Sequence, residues 1–188
     1  MTASGGEKPE HHIVDVRPEF VLLGFLLEKP AHGYELYKRF HENLAGLWRI
    51  SESQMYATLK RLEERYMVAG APLEKGSAAS RRVLMPTDAG RALFEAWIKE
   101  PSVCSPRVLR LEFLSRLYFA RRLAPDTVTR LFDGQRTAVV ESLERLLANR
   151  LGSAGGFEVT ELALDFSEGQ LRSALEWLDT KVRPVLID

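Results

Sequence analysis

The sequence predicts a mainly α-helical protein of α+β class, an N-terminal winged helix-turn-helix followed by a C-terminal helical dimerisation domain. Three observations lead there. Two short amphipathic stretches precede a third, Ser51 to Tyr66, whose outward positions are polar at the leading end. Two short β-prone runs, residues 67–75 and 81–86, follow it and are joined by Gly76-Ser77-Ala78-Ala79-Ser80. Beyond Pro106 the apolar residues recur at helical period almost to the end.

With 188 residues, 45% of them hydrophobic, the chain can bury a real core as one domain or two small ones. Its net charge of zero argues neither for nor against DNA, because a binding face can be basic on a neutral molecule. A lone cysteine, Cys104, excludes an intramolecular disulfide framework and fits a reducing cytoplasm. No apolar run reaches transmembrane length, and the opening MTASGGEKPEHH has no signal-peptide core, so a soluble cytoplasmic protein without a membrane partner is expected.

Residues 1–17, rich in Gly, Ser, Glu and Lys, read as a loose tail. The winged domain is expected over 18–100. Pro18 suits an opening helical turn, and Phe20, Leu23, Leu26 and Leu27 give a broad apolar face before Pro30. A second helix over 32–44 has Tyr34, Leu36, Tyr37, Phe40 and Leu44 on its inner face, and Gly46 closes it. In the third, Ser51 is the N-cap, and Met55, Leu59, Leu62 and Tyr66 form the apolar stripe. After the wing, Thr87 caps a fourth helix packed through Leu93, Phe94, Trp97 and Ile98.

Pro101 to Pro106 breaks the pattern twice and marks a domain boundary, leaving 107–188 as the second domain. Arg107 to Leu123 carries more apolar surface than one face holds, so it is expected to be buried on two sides. Asp126 to Leu151 resembles a coiled-coil seam, weakened at Gly134 by ~1 kcal/mol. A last helix runs from about Thr160 to Val182, before Pro184. Leu111, Phe113, Leu117, Val139, Leu143, Leu175, Trp177 and Leu178 are the expected dimerisation residues.

The functional argument rests on the third helix. Ser53, Gln54, Tyr56, Ala57 and Lys60 leave its apolar stripe early, and the acids Glu63 and Glu64 come late. A helix entering the major groove N-terminus first needs this order: donors and acceptors for base edges, a cation for phosphate, carboxylates only beyond the groove. The candidate DNA contacts are Tyr34 and Lys38, then Ser51, Ser53, Gln54, Tyr56, Ala57 and Lys60, and Arg81 and Arg82 in the wing.

The chain resembles the PadR family of transcriptional regulators. The resemblance lies in His32-Gly33-Tyr34-Glu35-Leu36 after Pro30, in Tyr56 with Leu59-Lys60-Arg61-Leu62-Glu63, and in Arg81-Arg82 leading to Thr87-Asp88-Ala89-Gly90. In the C-terminal half, Arg110-Leu111-Glu112-Phe113-Leu114 and Gly169 with Glu176-Trp177-Leu178 are similar to the subgroup with the longer helical domain. The resemblance implies a homodimer on a pseudo-palindromic double-stranded DNA operator, usually a repressor, sometimes with a small-molecule effector. The sequence departs from the family pattern at Tyr66, where a glycine often ends the helix, at Ala78 and Ala79 in the wing tip, and at Leu84.

Other classes find less support. His11, His12, His32 and His41 are scattered, Cys104 has no histidine near it, and no phosphate loop or nucleophile elbow occurs, so neither enzyme activity nor a cofactor or metal is expected. His32 and Glu35 alone do not make a metal site, and His32 reads as a structural or capping residue. The alternative to a DNA binder is a winged-helix scaffold for protein contacts, in which the face around Ser53 and Tyr56 would be acidic or apolar. Trp48, Trp97 and the aromatics of the helix after Pro106 are candidate linings of a cavity between subunits for a small aromatic or hydrophobic effector, with core packing as the competing role.

Overall fold

The computed structural model describes residues 16–70, 82–152 and 158–187. Helix α1 (Pro18–Glu28) is buried at every position from Phe20 to Leu26. A helix apolar all round has to be covered all round, and its neighbours come from both halves of the chain. Phe119, far along the sequence, stands over Gly24 so closely that a Cβ there would lie 2.6 Å from its ring.

Helix α2 (Gly33–Leu44) buries Gly33, Leu36, Phe40 and Leu44 against α1. Tyr34, expected on this inner face, is 67% exposed instead. His32 holds the N-cap position, but its side chain makes no cap hydrogen bond, so no capping role is seen for it. Helix α3 (Glu52–Glu64) opens with a capping box: Gln54 N donates to Ser51 Oγ at 3.2 Å and Ser51 N donates to Gln54 Oε1 at 2.9 Å. Met55, Thr58, Leu59 and Leu62 are its buried face.

Tyr66 does not extend that stripe. It lies past the end of α3 at φ 57°, 81% exposed. There the backbone closes a Schellman turn, with Met67 N donating to Leu62 O and Tyr66 N to Glu63 O, both at 2.9 Å. Glycine adopts this left-handed backbone freely, whereas a side chain costs ~1–2 kcal/mol. Tyr66→Gly is therefore expected to stabilise the protein by up to about 1.5 kcal/mol in urea denaturation, after ~0.5–1 kcal/mol is lost to the freer unfolded chain. A less stable variant would mean that the tyrosine ring contributes more than the backbone strain costs.

Strands β1 (Val68–Gly70) and β2 (Leu84–Pro86) pair antiparallel, Val68 opposite Pro86 and Gly70 opposite Leu84, and Ala31 bridges to the far side of Leu84. Arg81, Ala78, Ala79 and the rest of 71–81 lie outside the described residues. Thr87 caps α4 (Asp88–Trp97): its Oγ1 accepts from Gly90 N and donates to Tyr66 O. Gly90 is required at this junction, since a Cβ would fall 2.0 Å from Met67 O.

After the linker, Pro106–Val108, the π-helical turn Leu109–Phe113 and Leu114–Leu123 run on as one helical stretch, here α5. It is buried on two sides, as its composition suggests. Phe119 packs toward Phe25 and Phe94, and Phe113 meets Trp177. The linker itself is held. Arg116, 1% exposed, donates to Glu100 O, Ser102 Oγ and the Glu112 carboxylate and lies over the Trp97 ring. Burial pushes its pKa down to about 10, with Glu112 opposing the shift. Gln135 adds a second clamp, accepting from Ser102 N and donating to Ser102 O.

Helices α6 (Val128–Gly152) and α7 (Glu158–Trp177) form an antiparallel pair, as the ion pairs Arg136–Asp179 and Arg150–Asp165 show. The coiled-coil-like stripe of α6 thus meets a partner within the same chain. The chain does not stop at Pro184: a π turn, Leu178–Val182, leads into a further helical segment, Arg183–Ile187. Proline is tolerated there because an opening helical turn needs no N–H from it.

Candidate nucleic-acid interface and the adjoining cleft

Opposite its buried stripe, α3 presents Ser53, Ala57, Lys60 and Glu64, all exposed. Tyr56, 39% exposed, leans toward the start of α2, where a Cβ on Gly33 would come within 2.5 Å of its ring. Gly33 thereby makes room for Tyr56 beside the exposed Tyr34. Two tyrosines and a set of small polar side chains form one outward surface, neither acidic nor apolar.

The cations expected on this surface are matched with acids. Lys38 pairs with Glu42 at 3.7 Å and Lys60 with Glu64 at 3.8 Å, each one helical turn away. Exposed pairs of this kind contribute only ~0.3–0.5 kcal/mol and yield readily to a phosphate. Arg82 differs. Its guanidinium contacts the Glu63 carboxylate, both side chains 33% exposed, and lies where a Cβ on Gly70 would be. It ties the wing base to α3 and is an internal ion pair rather than the free phosphate contact that the sequence suggests. Gln54 is also committed: its Oε1 serves the cap through Ser51 N, leaving only Nε2 free for a base edge.

A cleft of ≈ 670 Å³ separates the flank of α3 from the start of α5. Gln54, Ala57, Thr58 and Arg61 form one wall and Arg107, Arg110 and Leu111 the other. Trp48, on the floor, is fixed by donating from Nε1 to Ser115 Oγ at 2.8 Å, which in turn donates to Leu111 O. Arg49 also lines the cleft, and no carboxylate does among the described residues. The sequence reading overlooked these arginines. Gln54 and Arg61 are seven residues apart, two helical turns on one flank, and Arg107 and Arg110 are one turn apart, so a wheel projection would have grouped each pair.

Trp97 does not join Trp48 there. It is 2% exposed and stacked on Phe20 with centroids 5.0 Å apart, so it packs as a core residue. The expected dimerisation residues are likewise mostly internal. Phe113, Val139 and Leu178 are fully covered by this chain's own helices, Leu111 and Leu117 nearly so, and Leu143, Leu175 and Trp177 are half-buried. No group of three potential metal ligands occurs among the described residues, and no described helix is long and apolar enough to cross a membrane.

Residues 22–96 match the Transcriptional regulator PadR-like family. Through this segment the chain is similar to that family of transcriptional regulators. It is 24% identical over 139 residues to the negative transcriptional regulator PadR of Bacillus subtilis, covering 72% of this chain and 76% of that protein. To the probable transcriptional regulator Rv1176c of Mycobacterium tuberculosis it is 31% identical over 84 residues, covering 45% of this chain and 44% of the other. Crystal structures of Bacillus subtilis PadR are similar in complex with operator DNA (TM-score 0.41, 22% identity, 90% of this chain and 97% of that one) and with p-coumaric acid (TM-score 0.40, 21% identity, 91% and 99%).

Proposed function

We propose that this protein is a sequence-specific repressor that binds a pseudo-palindromic double-stranded DNA operator as a homodimer in the cytoplasm and is released by a small aromatic or hydrophobic effector. Residues 18–100 are the DNA-binding part and 107–188 the dimerisation part. The observation that carries this reading is the outward surface of α3, where Ser53, Ala57 and Lys60 project from a well-capped helix beside Tyr34 and Tyr56. Ser51, Lys38 and Arg81 remain the proposed phosphate contacts around it, and the cleft floored by Trp48 is the proposed effector site.

Selection of bound fragments from a random DNA pool tests the proposal. An inverted repeat with half-sites one or more helical turns apart is expected. A pool that emerges without enrichment would favour the protein-contact scaffold instead. Given a selected operator, Lys60→Gln is expected to weaken binding evenly across sequences and to lower the log–log salt slope by about one for each half-site. Lys60 would instead be a base reader if the variant changed the preferred sequence and left that slope alone.

A further inference from the structure

The segments that lead into and out of residues 18–100 are both held by buried polar groups of the later helices. At the entry, the backbone N–H of Arg17, just before α1, donates to Glu112 Oε1 at 3.2 Å. At the exit, Arg116 Nη1 donates to Glu100 O at 2.8 Å and to Ser102 Oγ at 2.6 Å. Its Nη2 donates to Glu112 Oε2 at 3.0 Å, so one carboxylate of α5 joins the two ends. Gln135 of α6 takes hold of Ser102 as well, its Oε1 accepting from Ser102 N at 2.6 Å and its Nε2 donating to Ser102 O at 3.0 Å. Ser102, Glu112, Arg116 and Gln135 are 4%, 2%, 1% and 0% exposed, which makes this a core network and not a surface one.

Such a network is poorly suited to adding stability alone. Burying an ion pair carries a desolvation cost, and well-packed apolar side chains of similar volume often serve as well or better. What polar contacts supply is direction. Apolar burial, such as that of Phe119 against Phe25 and Phe94, scales with area and is non-directional. A hydrogen bond weakens steeply as its angle closes, and Gln135 engages both the N–H and the C=O of Ser102, fixing that backbone in orientation as well as position. Orientation matters for a dimer on an inverted repeat. A turn of DNA spans ~34–36 Å over ~10–10.5 base pairs, so one base pair more or less between half-sites moves the second by about 3.4 Å and turns it by about 35°.

We infer that the clamp of Arg116 and Gln135 on Ser102 sets the half-site spacing of the operator: by holding the linker against α5 and α6 it fixes the angle at which each α3 is carried, and with it the separation of the two copies of α3. This rests on the reading above of a homodimer on an inverted repeat. Arg116 and Gln135 are buried, so they act through α3 as positioning residues and not on DNA themselves.

The test uses the full-length protein and the selected operator, with base pairs added or removed one at a time between unchanged half-sites. The unmodified protein is expected to prefer its best spacing by roughly thirtyfold or more over spacings one base pair shorter or longer, part of the avidity of roughly 10²–10⁴ that a misplaced second half-site forfeits. Gln135→Met fills similar space without either hydrogen bond to Ser102, and should reduce that preference to fivefold or less. Its affinity for a lone half-site should stay within twofold, and its half-site sequence should not change. Leu36→Ala, a cavity in the buried face of α2 and no part of the clamp, is the control. It should lower the melting temperature and leave the spacing preference intact. Should Gln135→Met fail to fold, Ser102→Ala, which removes only the hydroxyl that receives Arg116, is expected to reduce the preference at least threefold.

Spin labels on unnatural side chains at Ser53 of α3 and Glu144 of α6, both exposed, read the angle without DNA when labelled chains are diluted into unlabelled protein. A single narrow distance distribution is expected, at least doubled in width by Gln135→Met or, if that variant does not fold, visibly widened by Ser102→Ala. A folded clamp variant that keeps the full spacing preference, or equal broadening by Leu36→Ala, would overturn the proposal. So would a distance distribution that the clamp variant leaves unchanged. If no inverted repeat is bound at any spacing, the DNA-binding reading fails and the spacing role with it, while the spin-label distances still decide whether the clamp sets the angle.

Discussion

Replacing Phe119 by alanine is expected to cost about 3–5 kcal/mol, typical of a large aromatic removed from a packed core. Phe119 is completely buried, edge-on to Phe25 with centroids 5.1 Å apart and to Phe94 at 5.7 Å. It belongs to α5, beyond the proline-rich linker, yet these neighbours belong to α1 and α4. Gly24 has given up its side chain to admit the ring, so no residue nearby can move in to fill the space. The melting temperature should fall by roughly 6–20 °C, at ~2–4 °C per kcal/mol for a chain of this size. Calorimetry should show one transition for the whole molecule, because the damaged contact is shared. Two separated transitions, with only the later half of the chain affected, would refute this account. The same contacts bear on a fragment of residues 18–100 that ends at Glu100. Such a fragment would lack Phe119 and also Ser115, the hydrogen-bond partner of buried Trp48.

Helices α1 to α4, the caps of α3 and α4 and the two wing strands follow from apolar periodicity and from Pro18, Ser51 and Thr87, which act locally. Periodicity says that a face is apolar, but not what covers it. Phe113, Val139 and Leu178 are apolar at regular spacing, and the structure covers them with the chain's own helices instead of a second copy. Trp97 is hidden by Phe20 and Arg116 for the same reason. Tyr66 keeps helical spacing after its backbone has already left the helix, a change of sign in φ that no hydrophobic pattern records.

The double use of Gln54 was closer to hand, since Ser51-x-x-Gln54 has the spacing of a capping box. The pairing of Arg82 with Glu63 was not, because it depends on how the wing folds back over α3. Nor does residue type or spacing announce the π turns at Leu109–Phe113 and Leu178–Val182. The first of them carries Arg110, which lies on the rims of both the arginine-lined cleft and an apolar groove along α7.

Phe166→Asp is expected to convert the protein to a monomer and to weaken operator binding at least a hundredfold. With most of the expected dimer residues internal, an apolar surface open to a second copy among the described residues is the outer face of α7. Val159, Leu162 and Phe166 are 61%, 62% and 68% exposed and spaced three and four residues apart. The same line continues through Gly169, Ser173 and Trp177, where a groove of ≈ 570 Å³ opens against Pro106 and Leu109. This is the spacing of a helix seam, in which an apolar ridge of one copy can enter the groove of another. Contiguous apolar surface of this kind is uncommon on a protein that acts alone. An aspartate in the middle of the seam would have to be desolvated without a partner, which disfavours association strongly. In the single chain the side chain stays in water, so the fold and melting temperature should change little. The effect on DNA follows from geometry. Two winged helices joined rigidly make the second half-site contact intramolecular, and losing that link removes an avidity gain on the order of 10²–10⁴. Sedimentation of the variant and titration of the selected operator at one salt concentration check both parts. A variant that remains a dimer with full operator affinity would place the interface elsewhere and leave the α7 seam for another partner.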